Sequence, residues 1–404
     1  MSAENQMGVE TSEPLAAPPI AVRTNWRRVF GLQEMGVYYA LALLIGTLTI
    51  ITAYVGQNNY FSIQNISNVV YQTSLIGMMA VAMTVVLISG NFDLSVASVA
   101  AFSAVVLAAN AAALGFWPAA ALAMAAAMLL GLLNGAIVQY VGINAFIVTL
   151  GTMTGVRGLI LLYTDGRSVS VTAPEVTDVM KAFEGGRHDA FWVILIGGLV
   201  LLAYGIYAGL QGRRAGEPLR AATLGFAAGG AFLLFIAGAS GGELLVRNPV
   251  IYMAIFTAAT WFTLRFTKVG RRLYAVGGNP EAARLSGINV TRYRLMAFVF
   301  CSMTAGFAGV LFAARLRSMN PSGLQGAELT VIAAAILGGT SLFGGAGSVI
   351  KTLAGALLLY SLTNGFNILN LGANWQGLIE GCVVVAAAAI YTIGDKKSKS
   401  KTGG

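Results

Sequence analysis

The sequence predicts an all-α polytopic membrane protein, and three observations carry this prediction. Of its 404 residues, 57% are hydrophobic and only 10% are charged, whereas water-soluble domains are about one-quarter charged. Apolar runs long enough to cross a bilayer recur along the chain, separated by short polar breaks. These runs lack the alternation of apolar and polar residues that marks the strands of a membrane β-barrel. The membrane crossings are therefore predicted to be helices.

The chain begins with a polar, proline-containing stretch, residues 1–36, which we expect to be a disordered cytoplasmic leader. Basic residues at positions 23, 27 and 28 precede the first apolar run, as is common on the cytoplasmic side of a first span. No apolar segment begins near the N-terminus, so a cleaved signal peptide is not expected.

Residues 37–394 are predicted to form the transmembrane domain, with about twelve crossings. The run 328–343 is short for a bilayer, which predicts a broken or re-entrant element. A basic cytoplasmic tail, residues 395–404, closes the chain. The predicted crossings are residues 37–56, 66–89, 94–114, 119–140, 145–164, 190–210, 221–240, 249–267, 295–316, 328–343, 348–370 and 375–393.

The distribution of charge predicts the orientation of these crossings. The loop 268–294 has six basic residues against a single acid, Glu281, whereas the loop 165–189 has five acids against three Lys and Arg residues. Cytoplasmic loops carry the excess of Lys and Arg, so loop 268–294 and both termini are predicted to be cytoplasmic. The net charge of +9 is thus explained by basic residues in the cytoplasmic loops and tail. No nucleic-acid partner is therefore expected.

The stretch "ISGNFDLSVASV", residues 88–99, places Gly90, Asn91 and Asp93 between two apolar runs. A carboxylate is costly in hydrocarbon, so Asp93 should face the protein interior or water and have a hydrogen-bonded partner. One interpretation is a broken helix that lines a solute route. The other is a turn in which Asp93 caps the helix that begins at Leu94. Both remain open.

Two further polar features lie in the C-terminal third. Asn364 and Asn367 share a helical face and either bond neighbouring helices or line a pore. The glycine-rich "LGGTSLFGGAGSV", residues 337–349, lacks the GxxxxGK[ST] pattern and predicts a turn where membrane segments approach closely. No catalytic set, metal cluster or nucleotide-binding fingerprint is present, so we expect no enzyme activity, no cofactor and no ATPase site in this polypeptide.

The polar phrase "GGNPEAARLSG", residues 277–287, predicts a short capped helix in the cytoplasmic loop. Asn279 suits the N-cap, Pro280 the first turn, Glu281 the positive end of the helix dipole and Gly287 a left-handed stop. Isolated helices need roughly 12–15 residues to be even marginally stable. This helix must therefore dock, either on its own membrane domain or on a cytoplasmic partner.

At these residues the chain resembles a known family. "EAARLSG" is similar to the EAA---G loop of permease subunits of ATP-binding-cassette (ABC) importers, and residues 270–294 resemble that loop in monosaccharide permeases of the ribose/xylose type. "SGNFDLSVASV", "NAFIVTLGTMTGVRGL" (residues 144–159) and "AAAILGGTSLFGGAGSV" (residues 333–349) resemble other runs of that family, in the same order. The resemblance covers roughly residues 60–393.

The resemblance implies a ten-helix permease core, to which this chain adds a helix pair around "QGRRAGEP", residues 211–218. This insertion and the total length look most like the xylose permease branch. Two positions depart from the family pattern, because Ala97 stands where Gly is usual and Glu380 where Lys is frequent in the last span. These departures concern the route or the substrate and leave the cytoplasmic loop intact.

The resemblance also implies a function, a location and partners. The chain would carry a monosaccharide, xylose or a related pentose, across the bacterial inner membrane into the cytoplasm. A second permease copy would complete the pathway, a periplasmic sugar-binding protein would deliver the sugar, and a separate ATP-binding subunit would hold ATP and Mg. Glu281, Ala282, Ala283 and Gly287 would form the coupling helix, with both alanines seated in an ATPase groove and Arg284 paired with acids at its rim. Gly90, Asn91 and Asp93 would lie near the translocation route.

The alternative is an ion-coupled secondary sugar transporter, with Asp93, Glu328 or Glu380 as the proton or cation site. A solute channel is a second alternative. Broken helices fit all three classes of protein. The short cytoplasmic helix favours the importer, because a carrier or channel without an ATPase has no evident need for it.

Overall fold

The computed structural model of the protein describes residues 32–56, 59–214 and 221–371, together with residues 378, 381 and 382. The regions outside the described residues are residues 1–31, most of the "QGRRAGEP" segment, nearly all of the predicted last crossing at residues 375–393, and the basic tail. Glu380 also lies outside the described residues. Residues 32–36 of the predicted disordered leader are helical, because the first helix begins at Leu32.

The described part of the chain is almost entirely helical, because its apolar runs must satisfy every backbone hydrogen bond within the segment. A π-helical turn, Ile137–Val141, directly follows the helix Phe116–Ala136. The α-helices are α1 (Leu32–Tyr54), α2 (Ile63–Ile88), α3 (Val96–Leu114), α4 (Phe116–Ala136), α5 (Ala145–Thr164), α6 (Pro174–Gly185), α7 (Phe191–Arg214), α8 (Ala221–Ala239), α9 (Asn248–Phe266), α10 (Lys268–Gly278), α11 (Pro280–Leu285), α12 (Val290–Leu316), α13 (Ala327–Leu337) and α14 (Val349–Ile368).

The prediction of an all-α polytopic membrane protein is confirmed. In the described ranges, nine helices are long and apolar enough to cross a bilayer. Two further predicted runs correspond to the shorter apolar helices α8 and α13. The 11 residues of α13 span roughly 16 Å, about half the hydrocarbon thickness. The run 328–343 is therefore short, as predicted, and it becomes irregular after Leu337.

The loop 165–189 contains structure that its sequence did not predict. It holds α6 and two short strands, β1 (Val169–Ser170) and β2 (Arg187–Asp189). β1 pairs antiparallel with β4 (Ser318–Met319), and β2 pairs antiparallel with β3 (Leu245–Arg247). These strands are too short to show a periodic pattern, and their partners are distant in sequence.

The membrane helices connect two distinct ends of the molecule. α9 runs from β3 to α10, and α12 runs from α11 to β4. α10 and α11 therefore lie at one end of these helices, which we call the loop end. The β-ladders lie at the other, which we call the ladder end.

α2 is the central helix of the molecule. Every residue from Thr73 to Ser89 is buried, as expected for a helical segment that is apolar on nearly all sides. It packs against α9, α12, α13 and α14. A movement of α2 would therefore displace the four helices that pack against it.

α7 and α8 correspond to the two apolar runs predicted on either side of "QGRRAGEP". They pack against each other through glycines, and a Cβ at Gly230 would lie 2.4 Å from the backbone nitrogen of Leu202. Small residues let the two backbones approach this closely.

Candidate functional site

The predicted short helix is present as α11, and its two caps have the expected geometry. The Asn279 side chain accepts a hydrogen bond from the backbone N–H of Ala282 at 2.9 Å, which satisfies one of the free donors of the first turn. Pro280 begins the helix, and Gly287 follows it with a φ of +77°, in the left-handed region that glycine favours. The boundaries of α11 are thus determined by local sequence.

α11 is held against its own loop by one buried side chain. Ala283 is 4% exposed and packs with Val276 of α10 and Val290 of α12. The backbone N–H of Ile288 donates to the Ala283 carbonyl at 3.0 Å. The expectation that both alanines present side chains to a partner therefore needs correction. Adjacent helical positions point about 100° apart, so Ala283 supports the helix from within while Ala282 is exposed.

The other faces of α11 are open. Glu281, Ala282, Arg284 and Gly287 are all exposed, so the structure brings four of the predicted coupling residues together on an accessible surface. Leu285 completes this surface with a side chain that is 86% exposed. Sequence reasoning missed Leu285. The sequence feature that could have revealed it is a large apolar residue in a short, otherwise polar helix.

A junction of glycines joins α10 to the end of α2 at the loop end. The backbone N–H of Gly345, in the glycine-rich loop 338–348, donates to the carbonyl of Ile88 at 2.9 Å. Gly277 of α10 lies against the same atoms, and a Cβ there would be 1.7 Å from the Ile88 oxygen and 2.7 Å from the Gly345 nitrogen. Only glycine permits this contact. The close approach predicted for residues 337–349 is present, and its partners are the end of α2 and the segment before α11.

Two side chains strengthen this glycine junction. The Tyr274 hydroxyl of α10 donates to the carbonyl of Gly347 at 2.8 Å. Burial raises the pKa of the Tyr274 phenol, so the hydroxyl keeps its proton and remains a donor at neutral pH. Arg294 of α12 donates through Nε to the carbonyl of Ser89 at 3.3 Å. Tyr274 thereby bonds α10 to the glycine-rich loop, and Arg294 bonds α12 to the residue that follows α2.

The break itself contains a buried polar chain. Asp93 is fully buried, and its Oδ1 accepts hydrogen bonds from the backbone N–H of Ser95 at 2.9 Å and from the Ser95 hydroxyl. The Ser95 hydroxyl oxygen accepts from Asn134 of α4, whose Oδ1 accepts from Thr152 of α5. The expectation that Asp93 faces the interior with a hydrogen-bonded partner is confirmed. The alternative that Asp93 caps a helix beginning at Leu94 is wrong, because α3 begins at Val96 and its N-cap is Ser95. Asp93 instead accepts from the backbone two residues on, as in an Asx-turn.

Gly90 and Asn91 complete the break. Gly90 is exposed and ends α2 with a φ of +80°. Asn91 is buried and donates to the Ser89 hydroxyl at 3.1 Å. These two residues and Asp93 are thus grouped at the loop end, beside the glycine junction.

Asn364 and Asn367 lie elsewhere, in the last turns of α14. The Asn364 Oδ1 is buried without a hydrogen-bond partner among the described atoms, and Asn367 is exposed. α14 starts beside the glycine-rich loop, so its last turns point toward the ladder end. The five predicted route residues therefore do not form one cluster.

Comparisons with known proteins agree on the kind of protein. Residues 65–388 match the family described as branched-chain amino acid transport system / permease component. The chain is 33% identical to the ribose import permease protein RbsC of Escherichia coli strain K12 over 363 residues, which cover 89% of this chain and 94% of that protein.

Two xylose relatives give similar values. Identity is 33% to the xylose transport system permease protein XylH of Haemophilus influenzae, covering 91% of this chain and 98% of the relative. The chain is 34% identical to XylH of Escherichia coli strain K12, and the match covers 88% of this chain and 92% of the relative. No solved structure matches. The length of the family match and the near-complete coverage of these relatives show that the chain belongs to the branched-chain amino acid transport system / permease component family, on its monosaccharide permease side.

Proposed function

We propose that this chain is the membrane-spanning permease subunit of an ABC importer that carries a monosaccharide, xylose or a related pentose, into the cytoplasm. The observation that carries the proposal is α11, a capped helix that Ala283 holds in place and that directly follows the contact between Gly277 and the end of α2. Such a helix can receive force from a separate ATPase and pass it to the centre of the membrane domain.

The proposed orientation places the loop end in the cytoplasm. The basic residues of α10, α11 and the start of α12 support it, since cytoplasmic segments carry the excess positive charge. Both termini are then cytoplasmic, and the ladder end faces the periplasm. An ATP-binding subunit would dock at the loop end, and a periplasmic sugar-binding protein at the ladder end.

In the proposed mechanism the ATPase closes on ATP and Mg, both of which it holds itself, and α11 moves with it as a rigid lever. Gly277 transmits this movement to Ile88 and thus to α2. The chain of hydrogen bonds from Asp93 through Ser95 to Asn134 carries it to α4. Two permease copies moving together would switch the pathway between outward and inward openings. In this scheme Gly90, Asn91 and Asp93 border the route at its cytoplasmic end.

The choice of xylose rests on the inserted pair α7–α8, which resembles the xylose branch. Identity does not decide between the sugars, because the ribose and xylose relatives are 33% and 34% identical. Ion coupling gains no support from the comparisons, since the relatives reported are all permease components of import or transport systems.

Copurification with the ATP-binding subunit tests the proposal. We expect Glu281→Lys and Gly287→Pro to reduce recovery of that subunit and to abolish ATP-dependent uptake, while the permease still inserts. Glu281→Lys reverses the charge at the helix N-terminus, and Gly287→Pro forbids the left-handed stop. Glu175→Lys, in the first turn of α6 at the ladder end, is the matched control. Equal recovery with all four proteins would refute the docking role of α11.

A further inference from the structure

A large polar cavity opens at the ladder end, remote from α11. Its volume is about 890 Å³, within the range of about 300–1,000 Å³ typical of ligand sites. It lies between the first turns of α2 and the β2–β3 ladder, and we call it the polar cup. Its walls include Gln64, Ser67, Asn68, Arg187, Glu243 and Arg247.

The α2 wall of the polar cup carries amide and hydroxyl groups that the fold leaves unused. Within the part of the chain that the structure describes, the side chains of Gln64, Ser67 and Asn68 have no hydrogen-bond partner. An amide supplies two donors and an acceptor, and a hydroxyl supplies both roles. This is the chemistry that matches a ring of neighbouring solute hydroxyls.

The opposite wall carries two arginines from one β-ladder. Arg187 and Arg247 are directly paired across β2 and β3, so their side chains lie on the same face. Neither forms an ion pair within the described ranges. Two like charges placed opposite each other oppose strand pairing, which suggests a role beyond structure. Their N–H groups are donors, and Glu243 adds an acceptor to the same cavity.

The base of the polar cup is rigid. The Tyr71 ring has the guanidinium carbons of Arg247 and Arg315 at 4.2 Å and 4.1 Å from its centroid. Its hydroxyl donates to Glu184 of α6, which also accepts from Arg315 of α12 at 2.8 Å. Four elements are thereby joined below the cavity. A preformed site loses less conformational entropy when it binds a ligand.

We propose that the polar cup is a low-affinity binding site for a neutral monosaccharide, where the sugar is held before it enters the membrane domain. This inference rests on the proposed function for its choice of ligand. Gln64, Asn68 and Arg247 provide its main hydrogen-bonding groups. Its openness and the small number of apolar lining residues are consistent with weak binding, which a transport site requires for release.

Direct binding to the full-length permease in nanodiscs tests this site. Saturation-transfer NMR with D-xylose and with D-ribose is measured for the wild type, for the double variant Gln64→Leu/Asn68→Leu, and for Gln325→Leu. We expect at least one sugar to bind the wild type, with affinity about tenfold weaker in the double variant because two hydrogen bonds are lost. Gln325 is an exposed glutamine outside the cup, so its variant should bind like the wild type.

The changed side chains are exposed, so the variants should fold, which an unchanged size-exclusion profile verifies. Absence of sugar binding to the wild type, or equal binding by the double variant, overturns the proposal. Stronger binding of D-glucuronate than of either neutral sugar also overturns it, because the arginines would then define an anion site.

Recovery of the ATP-binding subunit, measured in parallel, separates this inference from the proposed function. Sugar binding that depends on Gln64 and Asn68 supports the polar cup even if no ATPase is recovered. If the ATPase is recovered but no sugar binds, the cup is refuted while the importer proposal stands.

Discussion

Gly277 is the residue whose replacement should be most informative, because no side chain fits at its position. A Cβ there would meet the Ile88 oxygen at 1.7 Å, so the backbones of α10 and α2 must separate. Gly278 provides a contrast, since its Cβ would have only the Gly345 Cα near it, at 3.8 Å. Replacing either glycine by alanine restricts the backbone, but only the replacement of Gly277 disrupts the junction. Comparing the two variants therefore separates these effects.

We expect Gly277→Ala to lower stability by about 1–3 kcal/mol, the usual cost of forcing extra atoms into a packed site, and to reduce ATP-dependent uptake. Gly278→Ala should leave both close to wild type. Thermal unfolding and uptake in proteoliposomes measure the two effects. Identical behaviour of the two variants would show that the glycine junction transmits nothing.

Residues governed by local rules could be predicted from the sequence. Asn279 and Gly287 cap α11 through interactions within a few positions, and the structure places them as the capping rules require. The contact between Gly277 and Ile88 could not be predicted, because its partners are distant in sequence. The burial of Ala283 was missed for the same reason, since its neighbours on α10 and α12 come together only in the folded loop.

At the scale of elements, α11 has one side chain buried against its own loop and others exposed to solvent. Ala283 is buried against α10 and α12, whereas Leu285 projects into solvent. An exposed leucine beside Glu281 and Arg284 resembles the centre of a protein interface, where an apolar anchor is surrounded by polar groups. α11 therefore has a buried face that holds it to the permease and an exposed face that a partner can contact.

Leu285→Asp should reduce recovery of the ATP-binding subunit by about tenfold or more, because a charge would replace the apolar anchor. The permease itself should keep its thermal stability, since this side chain contacts little of its own chain. Leu285→Met, which conserves apolar character, should keep most of the recovery. If Leu285→Asp bound the ATPase as well as Leu285→Met, the anchor would have to lie elsewhere on the loop.

The long membrane helices were predictable as elements, since hydrophobic length alone identifies them. α6 and the two β-ladders were not predicted, because short polar segments carry no strong period. The polar cup escaped prediction as well. It requires Arg187 and Arg247 to meet across a ladder and to face α2, and none of these elements reveals the others in sequence.

The molecule as a whole places its central helix between two polar ends. α2 runs from the polar cup at the ladder end to the glycine junction at the loop end. Outer helices such as α7 expose large apolar side chains, among them Trp192 and Val193, which we expect to face lipid. A displacement of α11 could thus act on both ends of the pathway through one buried helix.

Photocrosslinking from position 285 in intact cells tests the central claim most directly, since the account requires α11 to touch a motor subunit in the cytoplasm. With a photoreactive amino acid at this position, we predict an adduct with the ATP-binding subunit, and none from the same amino acid at position 175 on α6. Absence of an adduct from position 285 in cells that contain the ATPase, or capture of a periplasmic protein there, would contradict the account.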